Sequence, residues 1–238
     1  KKRNLYELIR KEISVHKTLK HPNIVQFHDS FEIISEDEKD ELIIVIMEYC
    51  ENGDLLKYVT NTGFKTEEMK KKIIRDFLKG IQYLHSQEIS HGDIKVENIL
   101  LDSNLNAKLC DFGYCRTRKI GGNESKNGTL YYAAPELFIN DQFNTLKTDI
   151  YSIGITLFAL SELRFPFSSQ NKDYIVLQIK SGCLSFGYRI DSKLRKLIEK
   201  CTSLKPENRP EIDEILNDEY LNGKPKSLMK NENICFTN

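Results

Sequence analysis

Apolar residues recur first at helical spacing, then in short dense runs, then at helical spacing again. In residues 4–20, Leu5, Leu8, Ile9, His16 and Leu19 fall on one stripe, which predicts a helix. Glu12 lies on that stripe, and a carboxylate on a core-facing stripe needs a partner. Residues 24–34 and 42–48 predict two strands. Between them, Ser35-Glu36-Asp37-Glu38-Lys39-Asp40-Glu41 predicts a solvated hairpin loop. Asp54 opens a short helix through Tyr58. Thr66 can cap a longer one, with Met69, Ile73, Phe77, Ile81 and Leu84 as its core face and an end near His85.

Past that helix the period changes. His91-Gly92-Asp93-Ile94-Lys95-Val96-Glu97-Asn98 is polar and leads into Ile99-Leu100-Leu101. Asp102-Ser103-Asn104 supplies turn chemistry. Ala107-Lys108-Leu109-Cys110 then runs into Asp111-Phe112-Gly113, where glycine lets the backbone swing away. The pattern predicts a hairpin with a carboxylate at each end, one to handle a proton and one to hold a metal. Transfer of a phosphoryl group needs such a layout, because its catalysis is mostly positioning and charge neutralisation. Further on, residues 149–158 are almost wholly apolar. Residues 172–181, 191–203 and 211–217 predict amphipathic helices, with Leu194, Leu197, Ile198 and Cys201 on one row. The tail from Asn222 predicts loose order.

Composition narrows the classes. A chain of 238 residues can bury a sizeable core. Its 35 basic and 35 acidic residues cancel, so no electrostatic footprint for nucleic acid or an anionic membrane exists. The longest apolar run, residues 42–47, is too short to span a bilayer. Lys1-Lys2-Arg3 is followed by no long apolar segment, which argues against a signal peptide. The 6 cysteines form no Cys-x-x-Cys pair, so reduced thiols in the cytoplasm or nucleus are expected, not a zinc site or disulfides.

The stretch from His91 to Gly113 resembles the catalytic and Mg-binding loops of eukaryotic protein kinases. Other motifs agree in order. Glu12 stands before His21-Pro22-Asn23-Ile24-Val25 at the family's spacing. Gly128-Thr129-Leu130-Tyr131-Tyr132-Ala133-Ala134-Pro135-Glu136 follows a polar, basic stretch with Arg116, Arg118, Lys119 and Lys126, which resembles the activation segment. Pro206-Glu207-Asn208-Arg209-Pro210 closes the set. The resemblance covers roughly residues 4–221.

It implies an α+β, bilobal protein-kinase-like fold. A truncated N-terminal lobe (the family's helix αC and strands β4 and β5) would occupy residues 1–48. A hinge at 49–53, a mainly helical C-terminal lobe at 54–221 and a tail at 222–238 would follow. The family's first three strands, with their lysine and glycine-rich loop, have no counterpart in residues 1–238, and the expectation is that they lie outside this sequence. Without them residues 42–47 would form an exposed apolar edge.

Roles follow from the same resemblance. Asp93 would be the catalytic base and Lys95 would steady charge on the γ-phosphoryl group. A lysine there points to the serine/threonine class. Asn98 and Asp111 would hold Mg²⁺ as hard oxygen ligands. Glu12 would hold the missing lysine, and Thr129 would touch Asp93 and Lys95. Met47 matches the gatekeeper, and Glu48, Tyr49 and Cys50 the hinge that bonds adenine. Asp54 would meet a ribose or a substrate side chain. Leu100 and Leu55 would floor the adenine pocket. Phe112, His91, His16 and Phe27 would stack into a column linking the lobes. Glu136 would pair with Arg209, and Asp149 would accept backbone hydrogens from the catalytic loop.

ATP, Mg²⁺ and protein substrates bearing serine or threonine are the implied ligands; nucleic acid and membrane are not. Three departures stand out. Gly92 replaces an arginine that usually grips an activation-loop phosphate, Val96 replaces a proline, and Cys110 precedes Asp111, either as a thiol facing the nucleotide pocket or, the favoured reading, as a small buried hydrophobe. Residues 12–19 are similar to polo-type kinases, and the segment around Tyr131 fits polo-like, Aurora-like and calmodulin-dependent-like groups equally. The alternative reading is a pseudokinase scaffold without turnover. A small-molecule kinase is disfavoured by the intact segment 128–136.

Overall fold

The computed structural model describes residues 2–34, 41–116, 120–121, 129–140, 142–167, 169–188 and 190–223. Most of the acidic connector, the basic residues Arg118, Lys119 and Lys126, Gly128 and the tail beyond Gly223 lie outside those residues.

Helix α1 (Lys2–His16) precedes an antiparallel pair, β1 (Phe27–Ile34) and β2 (Glu41–Met47). Helices α2 (Leu55–Thr62) and α3 (Glu67–Ser86) follow. A second antiparallel hairpin is made by β3 (Ile99–Leu101) and β4 (Ala107–Leu109), and a small one by β5 (Ile120–Gly121) and β6 (Phe143–Asn144). Among the described residues, helices α4 (Thr145–Glu162), α5 (Lys172–Ser181), α6 (Ser192–Cys201), α7 (Ile212–Leu216) and α8 (Glu219–Asn222) follow. A few strands and mostly helices give the expected two-part kinase architecture. No helix among the described residues is long and apolar enough to cross a membrane.

Local chemistry sets several boundaries. The Thr66 hydroxyl accepts the Met69 N–H at 3.0 Å and caps α3 as its sequence predicts. Ile73, Phe77, Ile81 and Leu84 are fully buried, and Met69 packs at the edge. Gly80 lets α3 sit against the neighbouring loop, because a Cβ there would lie 2.7 Å from the Asn23 carbonyl oxygen and 2.8 Å from Leu109.

Helix α1 stops four residues short of its sequence-predicted end at residue 20. The His16 ring is tied to the Val25 carbonyl at 2.6 Å, and the chain turns over Lys17 and Thr18 to bury Leu19 outside the helix. The first strand begins at Phe27, not Ile24. The Val25 N–H instead donates to the Leu109 carbonyl at 2.9 Å, and the Leu109 N–H to the Asn23 carbonyl at 2.9 Å. This splice joins the α1–β1 connection to the β3–β4 hairpin.

Helix α2 runs past Tyr58 to Thr62. Helix α4 starts before Asp149, because the Asn144 carboxamide oxygen caps it, and ends ahead of Phe165. The α6 and α7 helices are each shorter than the predicted 191–203 and 211–217, and α8, which ends where the predicted tail begins, is unforeseen. Phe31, Ile33, Leu42, Ile44 and Ile46 of the first sheet are exposed, the apolar edge that the sequence implies.

Candidate active site

Asp149 of the buried helix α4 organises the loop after α3. Its Oδ2 accepts the His91 N–H at 2.8 Å and its Oδ1 the Gly92 N–H at 2.9 Å. His85, at the end of α3, donates from Nε2 to the same Oδ2 at 2.9 Å. The His91 ring donates from Nε2 to the Cys110 carbonyl at 3.1 Å and accepts the Asp93 N–H on Nδ1 at 3.3 Å. The two bonds select one tautomer and fix the ring between the loop after α3 and the end of β4.

Gly92 has φ +80, and a Cβ there would lie 2.5 Å from the Tyr114 carbonyl oxygen. Glycine allows the Ser90–Arg116 bridge to close tightly over the loop. Gly92→Ala should therefore cost about 1–3 kcal/mol through strain and clash. Urea denaturation measures it, and an unchanged midpoint would contradict the close approach.

Asp93 is buried at 4% exposure. Its Oδ2 accepts from Lys95 Nζ at 2.5 Å and from Asn98 Nδ2 at 3.2 Å. Its Oδ1 accepts the Thr129 N–H at 2.9 Å and the Thr129 hydroxyl at 3.0 Å. Lys95 Nζ also donates to Thr129 Oγ1 at 2.9 Å, closing a triangle. Burial pushes the Asp93 carboxyl up, but the Lys95 ammonium and the Thr129 donors outweigh it and hold the group below its ordinary value. Burial likewise opposes the charge on Lys95, and Asp93 outweighs it and raises the ammonium's pKa.

The second carboxylate lies one hairpin away. The Cys110 N–H donates to the Asn98 carbonyl at 3.0 Å, which sets residue 98 beside the Asp111 turn. Asp111 has φ +64 and an exposed side chain whose only hydrogen bond among the described residues is a 3.3 Å contact from the Gly113 N–H. Asn98 spends its Nδ2 on the Asp93 carbonyl at 2.9 Å, so its Oδ1 remains as an acceptor. A carboxylate and an amide oxygen with spare lone pairs fit a hard divalent cation. Cys110 is half-buried, and burial pushes its thiol up to about 12, so it stays protonated.

His16, Phe112 and His91 pack as tilted rings with centroids 4.7 Å and 5.5 Å apart, and Phe27 continues the column edge-on, 5.5 Å from His16. Glu12 is half-buried beside it. Burial and then the Asp111 charge raise its carboxyl, while the Phe112 N–H partly offsets them.

At the connection from β2 to α2, the Glu48 N–H donates to the Gln26 carbonyl at 2.8 Å and the Gly53 N–H to the Cys50 carbonyl at 3.1 Å. Among the described residues no hydrogen bond uses the Glu48 carbonyl or the Cys50 N–H, an acceptor and a donor available to an adenine edge. The Glu48 carboxylate turns away to Lys108 at 2.8 Å, and Met47 is 44% exposed. Leu100 is half-buried, whereas Leu55 is wholly buried in the core and cannot floor a pocket. Asp54 caps α2, taking the Lys57 N–H at 2.8 Å and pairing with Lys57 Nζ at 3.0 Å.

After Thr129 the chain makes short 3₁₀ turns at Leu130–Tyr132 and Pro135–Phe138. Glu136 lies in the second and takes a fork from Arg209 at 2.6 and 2.7 Å.

The sequence matches the family described as protein kinase domain over residues 1–221. The chain belongs to that family. It is similar to the serine/threonine-protein kinase ppk34 of Schizosaccharomyces pombe, at 33% identity over 98% of this chain and 66% of the relative. It is similar also to the serine/threonine-protein kinase kin-29 of Caenorhabditis elegans, at 33% identity over 92% of this chain and 26% of the relative. With the serine/threonine-protein kinase Nek5 of Homo sapiens it shares 34% identity over 93% of this chain and 31% of the relative. The chain thus spans just under two thirds of the first relative and less than a third of the others.

The kinase domain brings Asp93, Lys95, Asn98 and Thr129 into direct contact. It sets Asp111 at the adjoining turn and Glu12 against Phe112. His85 is a site residue that sequence reasoning missed. A histidine ending an amphipathic helix is no signal by itself, and its partner Asp149 is 64 positions away.

Proposed function

We propose that this chain is the catalytic part of an ATP-dependent serine/threonine protein kinase. The reading rests above all on the triangle of Asp93, Lys95 and Thr129. In this reading the carboxylate and the ammonium would meet an incoming hydroxyl and a γ-phosphoryl group, beside a turn that would take a divalent cation. The kinase names of its relatives support the same reaction.

Asp93 orients the acceptor hydroxyl and takes its proton. Its depressed pKa makes it a weak base, so orientation is the larger part of its work. Lys95 offsets charge on the transferring group. Asp111 and Asn98 would hold Mg²⁺, which supplies charge neutralisation on the phosphates. The Glu48 carbonyl and Cys50 N–H would receive adenine, with Met47 and Leu100 beside it and Asp54 at the ribose side. Residues 1–48 and 54–221 would form the two lobes, joined at 49–53. Reduced cysteines favour the cytoplasm or nucleus.

The test is transfer from ATP and Mg²⁺ to a mixture of serine, threonine and tyrosine peptides by the full-length protein. Phosphoserine or phosphothreonine is expected. Phosphotyrosine alone, or ATP binding without any transfer, would overturn the reading, the latter in favour of a scaffold.

A further inference from the structure

Behind the lobe junction, two cavities of about 300 and about 710 Å³ adjoin at His21. Lys17, Lys20 and Lys108 line the smaller one and Lys79 the larger. The acids in these walls are already engaged. Glu48 holds Lys108 at 2.8 Å and the Gln26 N–H at 3.0 Å. Glu211 pairs with Lys147 at 2.7 Å, and Asp213 takes Gln82 at 2.5 Å. Lys17 lies 5.3 Å from the Phe27 ring and near Glu32, whose carboxylate is forked on Arg10. Among the described residues no carboxylate pairs with Lys20 or Lys79. In a chain of zero net charge, this is a local excess of positive charge. Buried Leu19 and Ile24 line the smaller cavity with Phe27.

We propose that this cleft is a docking site for an acidic segment of a partner protein. An acidic side chain would meet Lys20 and Lys79, and an adjacent apolar side chain would enter beside Leu19 and Ile24. Charge crowding supports an anionic occupant: burial, then Lys79 and Lys108, hold His21 below its ordinary value. A nucleic acid fits less well. The chain as a whole offers it no attractive field.

The cleft also borders the turn that follows the helix carrying Glu12. The Lys20 N–H donates to the Tyr83 hydroxyl at 3.0 Å, and His21 stacks on Tyr83 at 5.1 Å. An occupant would therefore grip the turn that joins α1 to β1 and to α3. The proposal does not depend on the kinase reading, because it concerns binding alone.

A short fluorescein-labelled peptide with glutamates flanking one leucine tests it by fluorescence anisotropy on the full-length protein. Salt-sensitive binding is expected, at least about tenfold weaker for Lys20→Glu/Lys79→Glu and for a peptide with glutamine in place of glutamate. Both lysines are exposed, and circular dichroism checks that the variant folds. Lys79→Gln, which reverses no charge, should fall between the two. Equal binding by wild type and both variants would overturn the proposal. So would absence of binding, or displacement of the peptide by an oligothymidylate at lower concentration than by unlabelled peptide.

Discussion

Arg209→Ala is expected to destabilise the fold by about 3–5 kcal/mol, the cost of leaving a buried charge unpaired. The Arg209 and Glu136 side chains are 0% and 3% exposed. The arginine makes more than the fork to Glu136. It donates to the Ser203 carbonyl at 2.9 Å and the Lys147 carbonyl at 2.8 Å, and its guanidinium lies 5.1 Å from the Tyr151 ring. Alanine would strand the Glu136 carboxylate and two carbonyls. A domain is stable by about 5–15 kcal/mol, so the loss is a large share of the total. Glu136 sits in the turn just after Thr129–Ala134, so activity should fall with stability. Urea denaturation gives the number. Glu136→Gln/Arg209→Met removes both charges and should recover part of the loss, since replacing both partners costs less than breaking the pair. A loss below about 1 kcal/mol, the worth of an exposed pair, would contradict the buried bridge.

Much of this arrangement was legible where short-range chemistry decides it. Ile99-Leu100-Leu101 and Ala107-Lys108-Leu109 read as strands around a turn. The Asp102 carboxylate makes that turn by accepting the Asn104 and Asn106 N–H groups at 2.9 Å each. Thr66 announced its helix for the same local reason.

Long-range pairs were legible only through the family motifs. Glu136 and Arg209 are 73 positions apart, and Asp149 is 57 and 58 positions from the loop it holds. Nothing in composition joins them. Asp54 shows two local meanings in one residue, because its capping role needs no ligand and its place near the hinge suggests one. Helix α1 was read too long because Leu19 continues the apolar stripe, while the chain breaks the helix after His16 and still buries that leucine. His85 gave no signal at all, since only the folded chain brings it to Asp149.

Asp93→Asn is expected to lower kcat by about 10²- to 10⁴-fold while nucleotide binding is retained. The amide keeps the shape and can still accept from the Thr129 N–H, so the loop should hold its place. It cannot take the acceptor's proton, and it leaves Lys95 without its ionic partner at 2.5 Å. In the wild type, the depressed Asp93 pKa carries a pH consequence. The group is ionised at and above the ordinary carboxylate range of about 4. Its contribution to stability is present above the unfolded pKa and is lost as pH falls through the lower folded one. Between mildly acidic and neutral pH, neither stability nor rate should change through Asp93. The most direct measurement is a single-turnover transfer of labelled γ-phosphate from ATP and Mg²⁺ to a serine peptide, run on the full-length wild type and Asp93→Asn side by side with nucleotide affinity measured on both. Rapid transfer by the wild type, a loss of about 10²-fold or more in the variant and equal affinity are predicted; equal rates, or a wild type that binds ATP and transfers nothing, would contradict the account.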